Sequence, residues 1–159
     1  MRPKKIEREF WPVNAVVGHE MTDLKSTVFH VWWKNHPKEE SGAEPLENLL
    51  TIPLLLLKYV NKRRKGTGHQ KRPAFRQPPA AIRKEAQTNK EFWPSRGDNV
   101  AKIYQEYKDN EGNTFWLVKF FRKDKRILVR RSVVEYFFPL QSLTFLFKQN
   151  ERLSIAAEK

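Results

Sequence analysis

The chain has 159 residues, no cysteine and a net charge of +13, which excludes a disulfide framework and a thiolate metal site and points to an anionic partner. Its longest apolar stretch, 49–57, is interrupted by Thr51 and Pro53 and falls short of the roughly 20 residues that span a bilayer, so no membrane partner is expected. The first ten residues are charged and lack the apolar centre of a signal peptide, so a reducing compartment, cytosol or nucleus, is expected.

The charge is unevenly spread. Residues 1–10, 11–60, 61–90 and 91–159 carry nets of +2, −2, +9 and +4, so two partners of opposite sign are implied. Along the chain, 13–17 reads as a strand. In 27–34, Val28, His30 and Trp32 alternate with Phe29, Val31 and Trp33 at strand period. A turn and short extended stretch over 42–48 follows. Next comes a helix capped by Thr51, with Pro53 in its first turn. This helix is apolar almost all round through Leu50, Leu55, Leu56 and Leu57, which suits either compensating burial in the core or an extra contact surface.

Residues 61–90 hold ten basic side chains and one acidic, with Gly66, Gly68, Pro73, Pro78 and Pro79, and only Phe75 and Ile82 as large apolar groups. Such a composition does not repay its ordering entropy and reads as a disordered linker. Beyond it the first pattern returns. A strand is expected over 99–107, a polar turn over 109–113 with Gly112, a strand over 114–121 and a third over 126–134. A final helix from Pro139 carries Leu140, Leu143 and Phe147 on one stripe, with Phe145 and Leu146 beside it. Both halves contain Glu-Phe-Trp-Pro, at 9–12 and 91–94. The expected fold is α+β: two small modules, each a three-stranded antiparallel sheet packed by a C-terminal helix. The boundaries are a basic tail at 1–8, modules at 9–60 and 91–159, and a hinge at 61–90.

No enzyme constellation emerges. His19, His30, His36 and His69 lack metal-ligand spacing with carboxylates, and no glycine-rich phosphate loop follows a strand. Neither a metal nor a cofactor is expected. The hinge cations Lys62, Arg63, Arg64, Lys65, Lys71, Arg72 and Arg76 suit non-specific, salt-sensitive binding of DNA or RNA through phosphates; a solvated tether doubling as a nuclear-import signal is the competing reading.

In the first half, Trp11-Pro-Val13, the run Val31-Trp32-Trp33-Lys34-Asn35-His36-Pro37, Glu39, Glu40 and Glu44-Pro45-Leu46-Glu47-Asn48-Leu49 together resemble a chromodomain. In the second half, Arg96-Gly97, Ile103, Gly112, Trp116-Leu117-Val118-Lys119-Phe120, Leu128-Val129, Pro139 and Glu151-Arg152-Leu153 resemble a chromoshadow domain. Chromodomain, basic hinge and chromoshadow domain in that order is similar to the heterochromatin protein 1 family, with this chain as a diverged member.

That resemblance implies a non-enzymatic nuclear adaptor on chromatin, associated with gene silencing. Its chromodomain would hold histone H3 methylated at lysine nine, the tail entering as a strand beside the segment before the helix. Trp11, Trp33 and His36 match the three walls of the methyl-lysine cage. Ring quadrupoles and exclusion of water hold such a cation, at about 0.5–2 kcal/mol per ring. A protonated imidazole would repel it. Val13, Glu40, Glu44 and Asn48 match positions that contact the peptide. Ala43 stands where the family has a tryptophan, so the fold is expected to lose a large buried group there. The chromoshadow resemblance implies a homodimer that captures peptide motifs of partner proteins. Leu140, Leu143, Phe147 and Ile155 fall on the implied interface, Ile155 replacing a tryptophan, while ordinary core is the plainer reading of the first three. The competing expectation for the whole is an architecture kept without methyl-lysine reading, serving as a DNA- or RNA-binding dimeric scaffold. A chromodomain fused to a mobile-element enzyme is a third, disfavoured by the second half.

Overall fold

A computed structural model describes residues 12–65 and 77–158, with side chains at 12–62 and 77–151. Six strands form two three-stranded antiparallel sheets, ordered β1-β2-β3 and β4-β5-β6. The strands are β1 (Val13–Asp23), β2 (Ser26–Trp33), β3 (Gly42–Pro45), β4 (Val100–Lys108), β5 (Thr114–Phe120) and β6 (Ile127–Arg130). Among the described residues four α-helices accompany them: α1 (Pro53–Lys65), α2 (Ala80–Thr88), α3 (Arg131–Phe137) and α4 (Pro139–Glu158). The α+β class and the two sheets with their following helices agree with the sequence.

β1 runs six residues beyond the expected 13–17. Register shifts between Val13 and Ala15, Val16 and Gly18, and Met21 and Asp23 break its two-residue period. Its hairpin with β2 closes on Leu24 and Lys25, the Asp23 carboxylate accepting from the Lys25 N–H at 2.8 Å. The alternation in β2 is as expected, with Thr27, Phe29 and Val31 buried. α1 begins at Pro53, and the Ile52 carbonyl accepts from the amides of Leu55 at 3.1 Å and Leu56 at 3.4 Å. Ile52 thus stands at the cap in place of Thr51. Leu56 and Tyr59 are buried, Leu56 contributing about 1.5–3 kcal/mol, whereas Leu54 is 75% exposed and Leu57 40%.

Part of the expected linker is helical: Asn61–Lys65 continues α1, and Ala80–Thr88 is α2. In α2, Ile82 and Ala86 are four residues apart and share one buried face. Residues 66–76 lie outside the described residues. The turn at 109–113 has its expected form, with Gly112 at φ +82° and the Asp109 carboxylate accepting from the amides of Glu111 at 2.9 Å and Asn113 at 2.8 Å. Those bonds, with one from the Asn113 side chain, hold the Asp109 carboxyl below its ordinary range.

The third strand of the second module is shorter than expected. It ends at Arg130, and 131–137 turns into α3. Val133 and Val134 favour a strand locally, but burial of Ser132, Val133, Val134, Glu135 and Tyr136 overrides that preference. Beside it, Arg130 is tied by Nε to Glu91 at 2.8 Å, by a second guanidinium N–H to the other Glu91 oxygen, and to Asn113 Oδ1 at 2.8 Å. The Glu91 bonds push the Arg130 pKa up. They anchor the second Glu-Phe-Trp-Pro segment, whose Phe92 lies on Phe120 (5.0 Å between centroids) and whose Trp93 meets Phe137 edge-on at 5.5 Å.

α3 also joins the two modules. The Thr27 hydroxyl donates to the Ser132 carbonyl at 2.7 Å, and the Ser132 hydroxyl donates to the Leu24 carbonyl. His19 Nε2 lies 3.0 Å from the Tyr136 carbonyl and must donate to it, while Nδ1 lies 2.7 Å from the Tyr59 hydroxyl. The His19 ring stacks on Phe29 at 5.2 Å. Arg131 reaches Glu135 at 3.1 Å, and Glu47 and Glu106 each at 3.6 Å. Buried residues from both modules belong to one apolar cluster.

Burial pushes the Glu135 carboxyl up to about 7; Arg131 acts in the opposite direction, and Glu47 and Glu106 push it further up. Between the ordinary carboxyl pKa and about 7, the folded chain therefore keeps a proton that the unfolded chain releases. This contribution to stability is fullest below about 4.5 and is lost as pH rises through about 7, amounting to roughly 3 kcal/mol. Urea midpoints at pH 5 and pH 8 should show the wild type losing stability over that interval, with Glu135→Gln flattening the decline. Equal slopes for the two proteins would show that Glu135 does not hold that proton.

Candidate peptide-binding surface

β1 enters and β2 leaves the first sheet at the same end, where Val13 is paired with Trp33 and the Lys34 amide donates to the Pro12 carbonyl at 3.0 Å. The chain then reverses. Asn35 takes φ 65°, a left-handed conformation that asparagine tolerates better than most residues, and the His36 amide reaches back to the Trp33 carbonyl at 3.3 Å. This turn brings Trp33 and His36 together, both half-buried.

The bracing residue is Trp32. Neighbouring strand residues face opposite sides, so Trp33 lies toward the core while Trp32 lies on the outer face. The Trp32 indole N–H donates to the His36 carbonyl at 2.8 Å, and the Lys38 ammonium lies 6.0 Å from the Trp32 ring centroid. The turn is thus fixed by side chain as well as backbone. A short 3-10 turn, Lys38–Glu40, follows and sets the Glu40 carboxylate 3.5 Å from His36 Nδ1. Glu39 and Glu40 are exposed on this turn, as are Lys34 and Lys38.

The other expected contact residues fall on β3 and the 3-10 turn Leu46–Leu49. Glu44 is only 4% exposed and accepts a hydrogen bond from the Asn48 amide at 2.9 Å, so the two side chains form a preset pair. Ala43 is exposed and stands opposite His30 in the β2–β3 register. The expected loss of a large buried group there is therefore corrected: a side chain at 43 faces solvent, and alanine leaves no hole in the core. Trp11, the remaining expected cage wall, lies outside the described residues.

Of the hinge cations, Lys62 is exposed on α1 and Arg63, Arg64 and Lys65 continue that helix, with only the side chain of Lys62 described. Lys71, Arg72 and Arg76 lie outside the described residues. On α4, Leu143 is buried, Leu140 half-buried and Phe147 53% exposed, so the stripe is divided between core and surface. Ile155 lies on α4, with its side chain outside the described residues. α4 itself packs against α1, α3, β4 and the Leu46–Leu49 turn.

Sequence reasoning passed over Trp32 and Asn35. Their only signal was position, Trp32 beside an expected cage residue and Asn35 at a turn that needs positive φ. It also passed over His19 as a link between modules, because its partners are 40 and 117 residues away. Comparison with protein-family models and with curated protein sequences gave no match.

Proposed function

We propose that this chain is a non-enzymatic chromatin adaptor of heterochromatin protein 1 type. Its first module takes a histone H3 tail methylated at lysine nine, using Trp33, His36 and Trp11 around the methylammonium. The observation that carries the reading is the braced turn, in which the His36 amide bonds the Trp33 carbonyl, the Trp32 indole holds the His36 carbonyl and the Glu40 carboxylate lies beside the imidazole. Aromatic side chains with a nearby carboxylate suit a cationic peptide whose charged group donates few or no hydrogen bonds. Val13 stands at that end of the sheet, Glu44 on β3 and Asn48 on the 3-10 turn that follows it. The basic segment 61–90 holds nucleic acid through phosphates, and the second module associates with itself and with peptide motifs of partner proteins in the nucleus.

Two measurements bear on this reading. Titrations of unmodified and trimethylated H3 tail peptides should show tighter binding of the trimethylated form, with Trp33→Ala reducing that preference at least about tenfold. Equal affinity for both peptides would exclude methyl-lysine reading and leave the nucleic-acid-binding scaffold. For self-association, Phe147 is the exposed member of the α4 stripe. Light scattering should report a dimer for the wild type and a monomer for Phe147→Glu; an unchanged mass would remove this interface.

A further inference from the structure

The second sheet carries a concentration of unpaired cations at one end. The loop from β5 to β6 reads Phe121-Arg-Lys-Asp-Lys-Arg126. Two lysines are used to shape it. Lys119 Nζ donates to the Phe120 carbonyl at 2.9 Å and to the Lys123 carbonyl, and Lys123 lies 3.8 Å from Asp98 and over the Phe92 ring. Arg122 takes φ 69° at the turn. With the loop held in this way, Phe121 is left 60% exposed. Its amide donates to the Asn99 carbonyl at 2.9 Å, which places the Phe121 backbone beside the residue that precedes β4.

β4 is an edge strand, and on it the basic surface continues. The Arg126 guanidinium lies 3.7 Å from the Tyr104 ring centroid and the Lys102 ammonium 5.0 Å from the same centroid. A groove of about 350 Å³ runs between β4 and α4, lined by Lys102 and Tyr104 on one side and by Gln141, Thr144, Lys148 and Gln149 on the other. Among the described residues, no carboxylate lines this groove. Among the described residues, no acidic side chain pairs with Lys102, Arg122, Lys125, Arg126 or Lys148.

A surface with this make-up favours an anion that repeats along a chain. The exposed ring narrows the choice. Phe121 has no use against the outside of a duplex, where phosphates cover the bases, whereas an unpaired base offers a face to stack on it. An acidic peptide would satisfy the cations but leave that ring in water.

We propose that the second module binds single-stranded nucleic acid along β4 and the 121–126 loop, with phosphates at Lys102, Arg126 and Lys148 and a base on Phe121. This surface is separate from the basic segment 61–90 and independent of methyl-lysine reading, which the histone-tail titration tests alone.

The test uses the full chain and fluorescence anisotropy with a labelled 12-nucleotide uridine oligomer and a DNA duplex of equal length. Phe121→Ala, at an exposed position, should weaken oligomer binding roughly tenfold and leave the duplex unchanged. Lys102→Ala/Arg126→Ala should lower the slope of log affinity against log salt for the oligomer by about 1.4. Replacing Lys62, Arg63, Arg64 and Lys65 by alanine should weaken oligomer and duplex alike. The proposal is overturned if the Phe121 and Lys102/Arg126 variants, with circular dichroism spectra matching wild type, bind the oligomer as wild type does. Polyglutamate displacing the oligomer from wild type at equal charge concentration would likewise overturn it in favour of an acidic peptide.

Discussion

A buried polar seam along α3 determines how the rest of the chain is arranged. Apolar contact alone tolerates sliding, because it rewards area and not direction. Hydrogen bonds between buried groups do not, since a small displacement leaves a desolvated donor or acceptor unpaired at a cost of about 1–3 kcal/mol. The reciprocal bonds of Thr27 and Ser132, one to the Ser132 carbonyl and one to the Leu24 carbonyl, fix α3 against the first hairpin turn. His19 adds a second fixed point at the other end of the helix through the Tyr136 carbonyl. Leu24, a turn residue that would otherwise face water, is 2% exposed. Two modules too small to bury much surface separately thereby share a core.

The same seam uses up charges that would otherwise look functional. Arg131 gathers Glu47, Glu106 and Glu135, so Glu47 is engaged between modules while Glu39 and Glu40 remain on the rim near Trp33 and His36. In the second module Lys119 and Lys123 shape the loop, and Arg130 is enclosed by Glu91 and Asn113. What is left over stands at two places: Glu39 and Glu40, with Lys34 and Lys38, at the first module's aromatic turn, and cations beside the second module's exposed phenylalanine. Under the proposed function, the first suits a histone tail and the second a nucleic acid strand, and one folded body would present both.

The parts of this arrangement that were legible in the sequence depend on local periodicity. The alternation in β2 and the Asp109–Asn113 turn could be read directly, because side-chain direction and a positive φ at Gly112 are set within a few residues. β1 was read short because its register shifts move the pattern from one face to the other. α2 was hidden by its charge, its apolar content reduced to Ile82 and the alanines. α3 was misread because Val133 and Val134 carry a strand signal, and only the packing of the two modules, which no local window contains, makes it a helix. The candidate surface was legible as a set of residue types. Its bracing by Trp32 was not, since a tryptophan on a strand carries the same letter whether it supports a turn or lies idle.

The divergence that the sequence suggested can now be located physically. At Ala43 a large residue was expected to be missing from the core, yet that position is on the surface of β3, so alanine there leaves the packing intact. At His36 the ring is smaller than the aromatic of the resemblance, but its backbone is held by the Trp32 indole and its ring lies beside Glu40. A carboxylate next to the imidazole offsets the repulsion that a protonated ring would exert on a methylammonium, because the pair together is close to neutral. Under the proposed function, both positions bear on the contact surface and not on the core. The fold beneath them rests on Phe29, Val31, Leu46 and Leu49, all essentially fully buried, and is built independently of either.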